Sequence, residues 1–290
     1  MKISMIKESM VNTLFGRAYY THHSAPLIKK HSVDWKNRWN NRKACLLLSY
    51  DIDDKNDMVK LPKLLKLLKK YKIKAGFAAI GLMVEKNPEI FRKIIREGHE
   101  LINHTYTHPD SEEFNIKNHF HEISAKERYN EIEKCDAIVR KKLKYKMTGF
   151  RIPHFGNQYA KDIYPMLKTL GYAYSSSTVA IRTETEGFPY KISNVWEFPM
   201  ACCPKHPFCI FDTSHAFRST LAKHKPKEYL ETFESLIDFG IKNGMFINLY
   251  QDPQDIDRFD YEQTLKLISK RRKDLWITTY KELVEELKRR

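Results

Sequence analysis

Residues 75–108 read AGFAAIGLMVEKNPEIFRKIIREGHELINHTYTH, and this stretch decides the fold class. Two apolar runs within it, residues 75–80 and 99–103, predict short buried strands. Between them, Pro88 suits the first position of a helix and Gly98 suits the position just beyond its end. A strand, a helix and a strand in succession form the repeating unit of a parallel β/α sheet. The stretch therefore predicts a fold of the α/β class.

The same alternation continues on both sides of this unit. Further strands are predicted at residues 44–50, 148–152, 172–176, 245–249 and 276–278, and further helices at 62–71, 124–142, 160–170, 227–243, 261–269 and 279–288. Only residues 177–225 are less regular. Six or seven such strands on one chain of 290 residues predict a closed or nearly closed barrel.

Composition fits one large globular domain, with 42% hydrophobic and 30% charged residues. We expect a barrel domain over residues 41–290, preceded by a basic accessory segment over residues 1–40. No apolar run reaches the length of a transmembrane helix, and no secretory signal is apparent at the N-terminus. These observations predict a cytoplasmic protein without a transmembrane segment.

The net charge of +15 suits an anionic partner, such as an acidic or phosphorylated substrate. A solvated lysine-rich surface is an equally good interpretation. The basic residues are not interleaved with aromatic residues, and no familiar nucleic-acid-binding motif accompanies them. We therefore expect no nucleic-acid partner. The oligomeric state is not predicted.

Five cysteines, an odd number without C-x-x-C spacing, argue against a disulfide framework and against a four-cysteine zinc site. The stretch ACCPKHPFC at residues 201–209 brings three of them close to His206. A second metal or redox site is therefore conceivable there. Ordinary core packing is favoured, because the adjacent Cys202 and Cys203 would point in opposite directions in a strand.

Polar side chains follow three of the predicted strands. Asp51, Asp53 and Asp54 come after the first, where three close carboxylates need a cation or an exposed turn. His104 and His108 follow the strand that ends at Asn103, and one carboxylate with two imidazoles is a suitable ligand set for a catalytic divalent metal. Arg151 lies at the end of another predicted strand and could hold a carboxylate in its ionised form. A polar turn, a chance histidine pair and a surface arginine are the alternatives.

Several ordered motifs resemble the polysaccharide deacetylase family, also known as the NodB-homology domain or carbohydrate esterase family 4. The main one is KAGFAAIGLMVEKNPEIFRKIIREGHELINHTYTHPD at residues 74–110. SYDIDD precedes it at 49–54, TGFRIPHFG and LKTLGYAYSSS follow it at 148–156 and 167–177, and LWITTYKELVEEL at 275–287 is similar to the family's closing strand and helix.

The resemblance implies a distorted seven-stranded (β/α) barrel and a metal-dependent hydrolase that removes an N-acyl group. It implies Asp51 as the catalytic base, oriented by Arg151, and Asp53, His104 and His108 as ligands of one divalent metal ion. Zn2+ is the expected ion, with Co2+, Fe2+, Ni2+ and Mn2+ as alternatives. Asp54 in place of Asp53 is the alternative ligand.

One motif departs from the family pattern. The family supplies a histidine on the last-but-one strand to protonate the leaving amine, but this chain reads FINLYQDPQD at residues 246–255. Tyr250 or Asp252 stands at or near that position. His215 and His154 are further candidates for the proton donor, although a single histidine is more often structural.

Three hypotheses about function follow. The first is a deacetylase acting on an N-acetylated or N-formylated amino sugar or glycan, with an anionic substrate favoured by the charge. The second keeps the fold and metal but hydrolyses a non-sugar amide, such as an imide or ureide, and the altered Tyr250 motif favours it. The third is a glycan-binding module with reduced activity. The intact set of base, ligands and arginine argues against the third.

Overall fold

A curled sheet with helices packed around it forms the centre of the protein in the computed structural model. The structure describes residues 15–16, 18–111, 113–116, 118–155, 159–219 and 224–289. Over these residues the strands are β1 Ala44–Ile52, β2 Gly76–Ala79, β3 Glu100–Asn103, β4 Gly149–Phe150, β5 Tyr174–Ser175, β6 Tyr190–Ile192, β7 Val195–Glu197, β8 Phe246–Gln251 and β9 Leu275–Thr278.

The strands follow the order β6-β7-β5-β4-β3-β2-β1-β8, and β9 also pairs with β1. All pairs are parallel except β6 with β7. The gap between β8 and the chain after β7 is bridged by two hydrogen bonds. The backbone N–H of Ala201 donates to the carbonyl of Asn248, and the Asn248 side chain donates to the carbonyl of Phe198, each at 2.8 Å.

The ring of seven parallel strands, β1 to β5 with β7 and β8, is therefore nearly closed. The predicted fold class, a distorted seven-stranded (β/α) barrel, is confirmed. The extra strands β6 and β9 lie outside this ring: β6 forms an antiparallel hairpin with β7, and β9 shares one edge of β1 with β2.

Strand β1 is the centre of the sheet, and all nine of its residues are buried. One of its edges pairs with β8, while the other pairs with β9 over Ala44–Leu47 and with β2 over Ser49–Ile52. A strand enclosed on both faces and both edges requires an apolar sequence, which the run ACLLL supplies. The same geometry carries Asp51, near the carboxyl end of β1, into the protein interior.

The helices are α1 Ala25–Ser32, α2 Lys55–Lys70, α3 Gly81–Lys86, α4 Pro88–Arg96, α5 Ala125–Leu143, α6 Ile163–Thr169, α7 Thr213–Phe217, α8 Pro226–Asn243, α9 Tyr261–Lys270 and α10 Tyr280–Lys288. Most predicted bounds agree within a few residues. Helix α2 is the exception, because it begins at Lys55 and not at Pro62. Asp54 caps it by accepting the backbone N–H groups of Asn56 and Asp57, and Pro62 lies inside the helix. The predicted start at the proline was wrong, since the side-chain cap at Asp54 determines where the helix begins.

The segment before β1 packs against the barrel in the part that the structure describes. Ile28 and Trp39 belong to the main hydrophobic core, and the Trp39 indole N–H donates to the carbonyl of Gly244 at 3.0 Å. The predicted division at residue 40 stays a prediction, and residues 1–14 and 17 of the basic segment lie outside the described residues. Among the described helices, none is both long and apolar enough to cross a bilayer.

Candidate active site

The functional side chains predicted at strand ends meet at one edge of the sheet. Asp51 lies near the end of β1, His104 directly follows β3, and Arg151 directly follows β4. The backbone N–H of Arg151 donates to the carbonyl of Asn103 at 2.8 Å, which extends the pairing of β3 with β4 into this region. Because β1 to β4 are consecutive parallel neighbours, their carboxyl ends form one wall of the site.

Asp53, His104 and His108 form a compact group. The Nε2 atom of His104 lies 3.3 Å from Oδ1 of Asp53, and Nε2 of His108 lies 3.8 Å from Oδ2. One potential ligand atom from each residue lies within 4.8 Å of the others. The Nδ1 atom of His104 lies 2.8 Å from the carbonyl of Arg151, which accepts its N–H and leaves Nε2 directed at Asp53.

This group fits a divalent cation. Oδ1 of Asp53 is buried and has no hydrogen-bond partner among the described residues. Burial lowers the pKa of His104, but the carboxylates of Asp53 and Asp51 outweigh it and raise that pKa overall. For Asp53, burial is outweighed by the imidazoles of His108 and His104, so its pKa is lowered. The site thus attracts positive charge and offers the donor atoms of a catalytic metal centre.

The Asp54 carboxylate is engaged in a helix cap. Its Oδ1 accepts the backbone N–H of Asn56 at 2.7 Å and that of Asp57 at 3.1 Å. A carboxylate engaged as the cap of α2 is not placed to ligate an ion between His104 and His108. The structure therefore favours Asp53 over the alternative ligand Asp54.

A buried ion pair lies beside the metal-ligand group. The guanidinium of Arg151 is fully buried and donates to Oδ1 of Asp51, to Ser49 Oγ at 2.8 Å and to the Tyr280 hydroxyl at 2.7 Å. Burial raises the pKa of Asp51 more than Arg151 and His104 lower it, so the carboxylate is a stronger base than an exposed aspartate. Asp51 thus lies beside His104 and is held by Arg151, while its role as a base stays a prediction.

Tyr250 lies in the same region. Its ring packs against Phe155, with centroids 4.6 Å apart, and the Arg151 guanidinium carbon lies 5.7 Å from its centroid. Burial, together with the charges of Asp212 and Asp51, raises the pKa of Tyr250 well above its ordinary value. Its hydroxyl therefore keeps its proton at neutral pH.

His215 belongs to a different group of side chains. Its Nε2 lies 3.3 Å from Nδ1 of His206, and the two rings pack edge to face. His154 instead lies near the metal-ligand group, with its ring 4.9 Å from that of His108 and its side chain 41% exposed. Asp252 pairs with the guanidinium of Arg218. Of the predicted proton donors, Tyr250 and His154 are thus brought to the site, while His215 faces its own cluster.

Asp212 is a residue that the sequence analysis missed. It is buried, caps α7 by accepting the His215 backbone N–H at 2.6 Å, and is close enough to Asp51 for the two charges to interact. Burial, partly opposed by that hydrogen bond and by Arg218, raises its pKa to about 7. An aspartate within an irregular stretch gives no sequence signal for such a pKa, because the effect depends on tertiary burial.

Comparison with known proteins extends these observations. The sequence profile of the polysaccharide deacetylase family matches residues 38–175. A peptidoglycan-N-acetylglucosamine deacetylase of Bacillus cereus is 30% identical over 127 residues, which are 44% of this chain and 42% of that protein. This chain thus spans about two fifths of the length of that relative.

Two solved structures share the fold. A Mycobacterium smegmatis protein assigned as a polysaccharide deacetylase has a TM-score of 0.71 at 15% identity, covering 86% of this chain and 91% of its own. An allantoinase has a TM-score of 0.68 at 12% identity, covering 87% and 91%. The motif resemblance, the profile match and the shared barrel agree, and residues 38–175 of this chain match the polysaccharide deacetylase family.

Proposed function

We propose that this protein is a metal-dependent hydrolase that removes an N-acetyl or N-formyl group from an amino sugar in a glycan or glycan precursor. The observation that carries the proposal is the convergence of Asp53, His104 and His108 beside the buried pair of Asp51 and Arg151. The match of residues 38–175 to the polysaccharide deacetylase family supports the same reaction class. The name of the Bacillus cereus relative makes N-acetylglucosamine the first sugar to test.

Asp53, His104 and His108 would hold one divalent ion. We propose Zn2+, while Co2+, Fe2+, Ni2+ and Mn2+ suit the same mixed nitrogen and oxygen ligands. When bound, such an ion supplies Lewis acidity toward water and toward the acyl oxygen. His104 is prepared for this role, because its Nδ1–H is already directed at the carbonyl of Arg151.

Asp51 is the proposed general base. Its Oδ2 lies 3.9 Å from Nε2 of His104. From this position it can take a proton from a water molecule that attacks an acyl group positioned beside the proposed metal ligands. Arg151 fixes the carboxylate by donating to its other oxygen. The raised pKa of Asp51 helps it accept that proton, and the acid so formed can pass the proton on.

The departing amine needs a proton, and Tyr250 is the proposed partner for it. Its ring is fixed by Phe155 and Arg151 close to Asp51. Because its raised pKa makes the hydroxyl a weak acid, we propose that Tyr250 donates a hydrogen bond to the leaving nitrogen, while Asp51 passes on the proton that it took from water. Asp212 is the competing candidate, because a pKa of about 7 lets a carboxylic acid donate a proton at neutral pH. His215 is a weaker candidate than either, since its Nε2 faces His206.

A panel of substrates tests the proposal. Purified protein loaded with Zn2+ would be incubated with N-acetylglucosamine oligomers, with peptidoglycan fragments, and with cyclic imides and ureides, while acetate or free amine is measured. Acetate release from the glycans, lost in Asp51→Asn, supports the proposal. Activity confined to cyclic amides would favour the second hypothesis, which the absence of a histidine at Tyr250 and Asp252 motivates. Glycan binding without any turnover would favour the binding module.

A further inference from the structure

A second group of potential metal ligands lies outside the proposed active site. It consists of Cys203, His206, His215 and His224, which we call the Cys-His cluster. One potential ligand atom of each residue lies within 4.8 Å of the others, and all four residues are buried. The proposed deacetylation assigns them no role, apart from His215 as its weakest candidate proton donor.

The distances within the cluster match a tetrahedral ion. Ordinary zinc bond lengths place two nitrogen ligands about 3.3 Å apart and a nitrogen and a sulfur about 3.6 Å apart. Nε2 of His215 lies 3.3 Å from Nδ1 of His206. The sulfur of Cys203 lies 3.4 Å from Nε2 of His224 and 3.8 Å from Nδ1 of His206.

The same distances fit a hydrogen-bonded network less well. Hydrogen bonds donated by nitrogen are typically about 2.9 to 3.0 Å long between nitrogen or oxygen atoms. The histidine pair is therefore too widely spaced for a strong hydrogen bond. Without an ion, the thiol and three imidazoles would be buried with only weak hydrogen bonds to one another. Burying polar groups in this way is unfavourable unless another group binds them.

Backbone hydrogen bonds hold the four ligands in place. His206 donates its backbone N–H to the carbonyl of Cys203, which closes the C-P-K-H turn. His215 is fixed by its bond to Asp212, and His224 donates its backbone N–H to the carbonyl of Ala216 at 2.8 Å. The ligands thus come from three preformed pieces of chain: the loop after β7, helix α7 and the residue pair before α8.

We propose that the Cys-His cluster is a second, structural metal site that binds zinc through Cys203, His206, His215 and His224. A thiolate and three imidazoles are the soft and intermediate donors that zinc accepts, and four protein ligands leave no position for water or substrate. The ion would tie the loop after β7 to α7 and α8. This loop also carries Asp212, so the second site would hold one wall of the proposed active site.

Cobalt titration distinguishes the two sites. The full chain would be stripped of metal under reducing conditions and titrated with Co2+. The absorption of interest is the near-ultraviolet charge transfer from thiolate to cobalt. Among the two ligand groups, only the Cys-His cluster contains a cysteine. We expect this band in the wild type, together with the intense visible bands of tetrahedral cobalt.

Three variants make the assignment specific. Cys203→Ser should abolish the charge-transfer band, whereas the matched control Cys202→Ser should keep it, because the Cys202 sulfur accepts a hydrogen bond from Ile181 and lies outside the cluster. A His104→Ala, His108→Ala double variant should bind one metal ion fewer and keep the band. These variants test metal binding at the two sites separately, and neither test depends on deacetylase activity.

Several results would overturn the proposal: a folded wild type without the charge-transfer band, a band that survives in Cys203→Ser, or one that disappears in Cys202→Ser. If Cys203→Ser does not fold, X-ray absorption of the zinc-loaded wild type decides the matter. The proposal requires zinc with one sulfur neighbour at about 2.3 Å beside nitrogen neighbours. Zinc without any sulfur neighbour would refute it.

Discussion

The three neighbouring aspartates Asp51, Asp53 and Asp54 provide a sharp test of the proposed chemistry, since each can be changed to asparagine with little change in shape. Asp51→Asn should keep its metal but lower kcat by roughly 10² to 10⁴-fold, the usual contribution of a general base. Asp53→Asn should lose one metal ion per chain together with activity, because it removes the only carboxylate of the ligand group. Asp54→Asn should leave both unchanged, because asparagine caps a helix as well as aspartate does.

The stability of Asp51→Asn follows from the burial of Arg151. That guanidinium is fully buried, and its ionic partner is Asp51. Removing one member of a buried pair costs about 3 to 5 kcal/mol. The lower end applies here, since Ser49 and Tyr280 still accept hydrogen bonds from Arg151. For a chain of this length, about 3 kcal/mol corresponds to a loss of roughly 5 °C in Tm.

Metal content by elemental analysis, acetate release and thermal denaturation would be measured side by side on the three variants. Turnover by Asp51→Asn within a few-fold of the wild type would remove Asp51 from the mechanism. Loss of one metal ion from Asp54→Asn, with its retention by Asp53→Asn, would show that the ligand is Asp54.

Three further predictions concern other residues. Tyr250→Phe keeps the ring packed on Phe155, so its Tm should be unchanged. If the hydroxyl assists the departing amine or the developing oxyanion, kcat should fall about 10²-fold. An unchanged kcat would show that another group supplies this hydrogen bond. Burial raises the pKa of Glu100 to about 7 from its ordinary 4.5, so between these pH values the folded chain retains a proton that the unfolded chain has lost. The free energy of unfolding should therefore fall by about 3 kcal/mol as pH rises through this window. Denaturant titrations at several pH values should show a flatter pH profile for Glu100→Gln than for the wild type, and parallel profiles would contradict this prediction. Gly149→Ala should lower the free energy of unfolding by about 3 kcal/mol in the same denaturant titration, because an added Cβ would lie 1.9 Å from the Tyr174 ring. A denaturation midpoint equal to that of the wild type would show that this ring can move.

Local sequence patterns predicted most of the barrel. Apolar runs of the right length identified most of the strands. The helix predicted at residues 124–142 agrees with α5, whose start is fixed by a capping box of Ser124 and Glu127. The short helices α3 and α7 and the hairpin of β6 and β7 were not predicted. These elements are too short for a periodic pattern, and their conformation depends on the surface on which they pack.

The sequence by itself determined which polar residues follow the strands. Since parallel strands end at the same edge of a sheet, Asp51, Asp53, His104, His108 and Arg151 could be grouped before any distance was known. The sequence did not show whether Asp53 or Asp54 is the proposed metal ligand, because adjacent aspartates differ only in the direction in which their side chains point. In the structure, Asp54 caps the helix that begins at Lys55 by accepting backbone N–H groups, while the Asp53 carboxylate lies beside His104.

The Cys-His cluster shows what only the tertiary structure decided. The sequence drew attention to Cys202, Cys203, Cys209 and His206, which are close along the chain. The structure instead joins Cys203 and His206 to His215 and His224, which lie nine and eighteen residues beyond His206. The loop after β7, helix α7 and the residue pair before α8 must fold together before these side chains meet. Strand and helix patterns are set by neighbouring residues, whereas a ligand set of this kind depends on how separate segments pack.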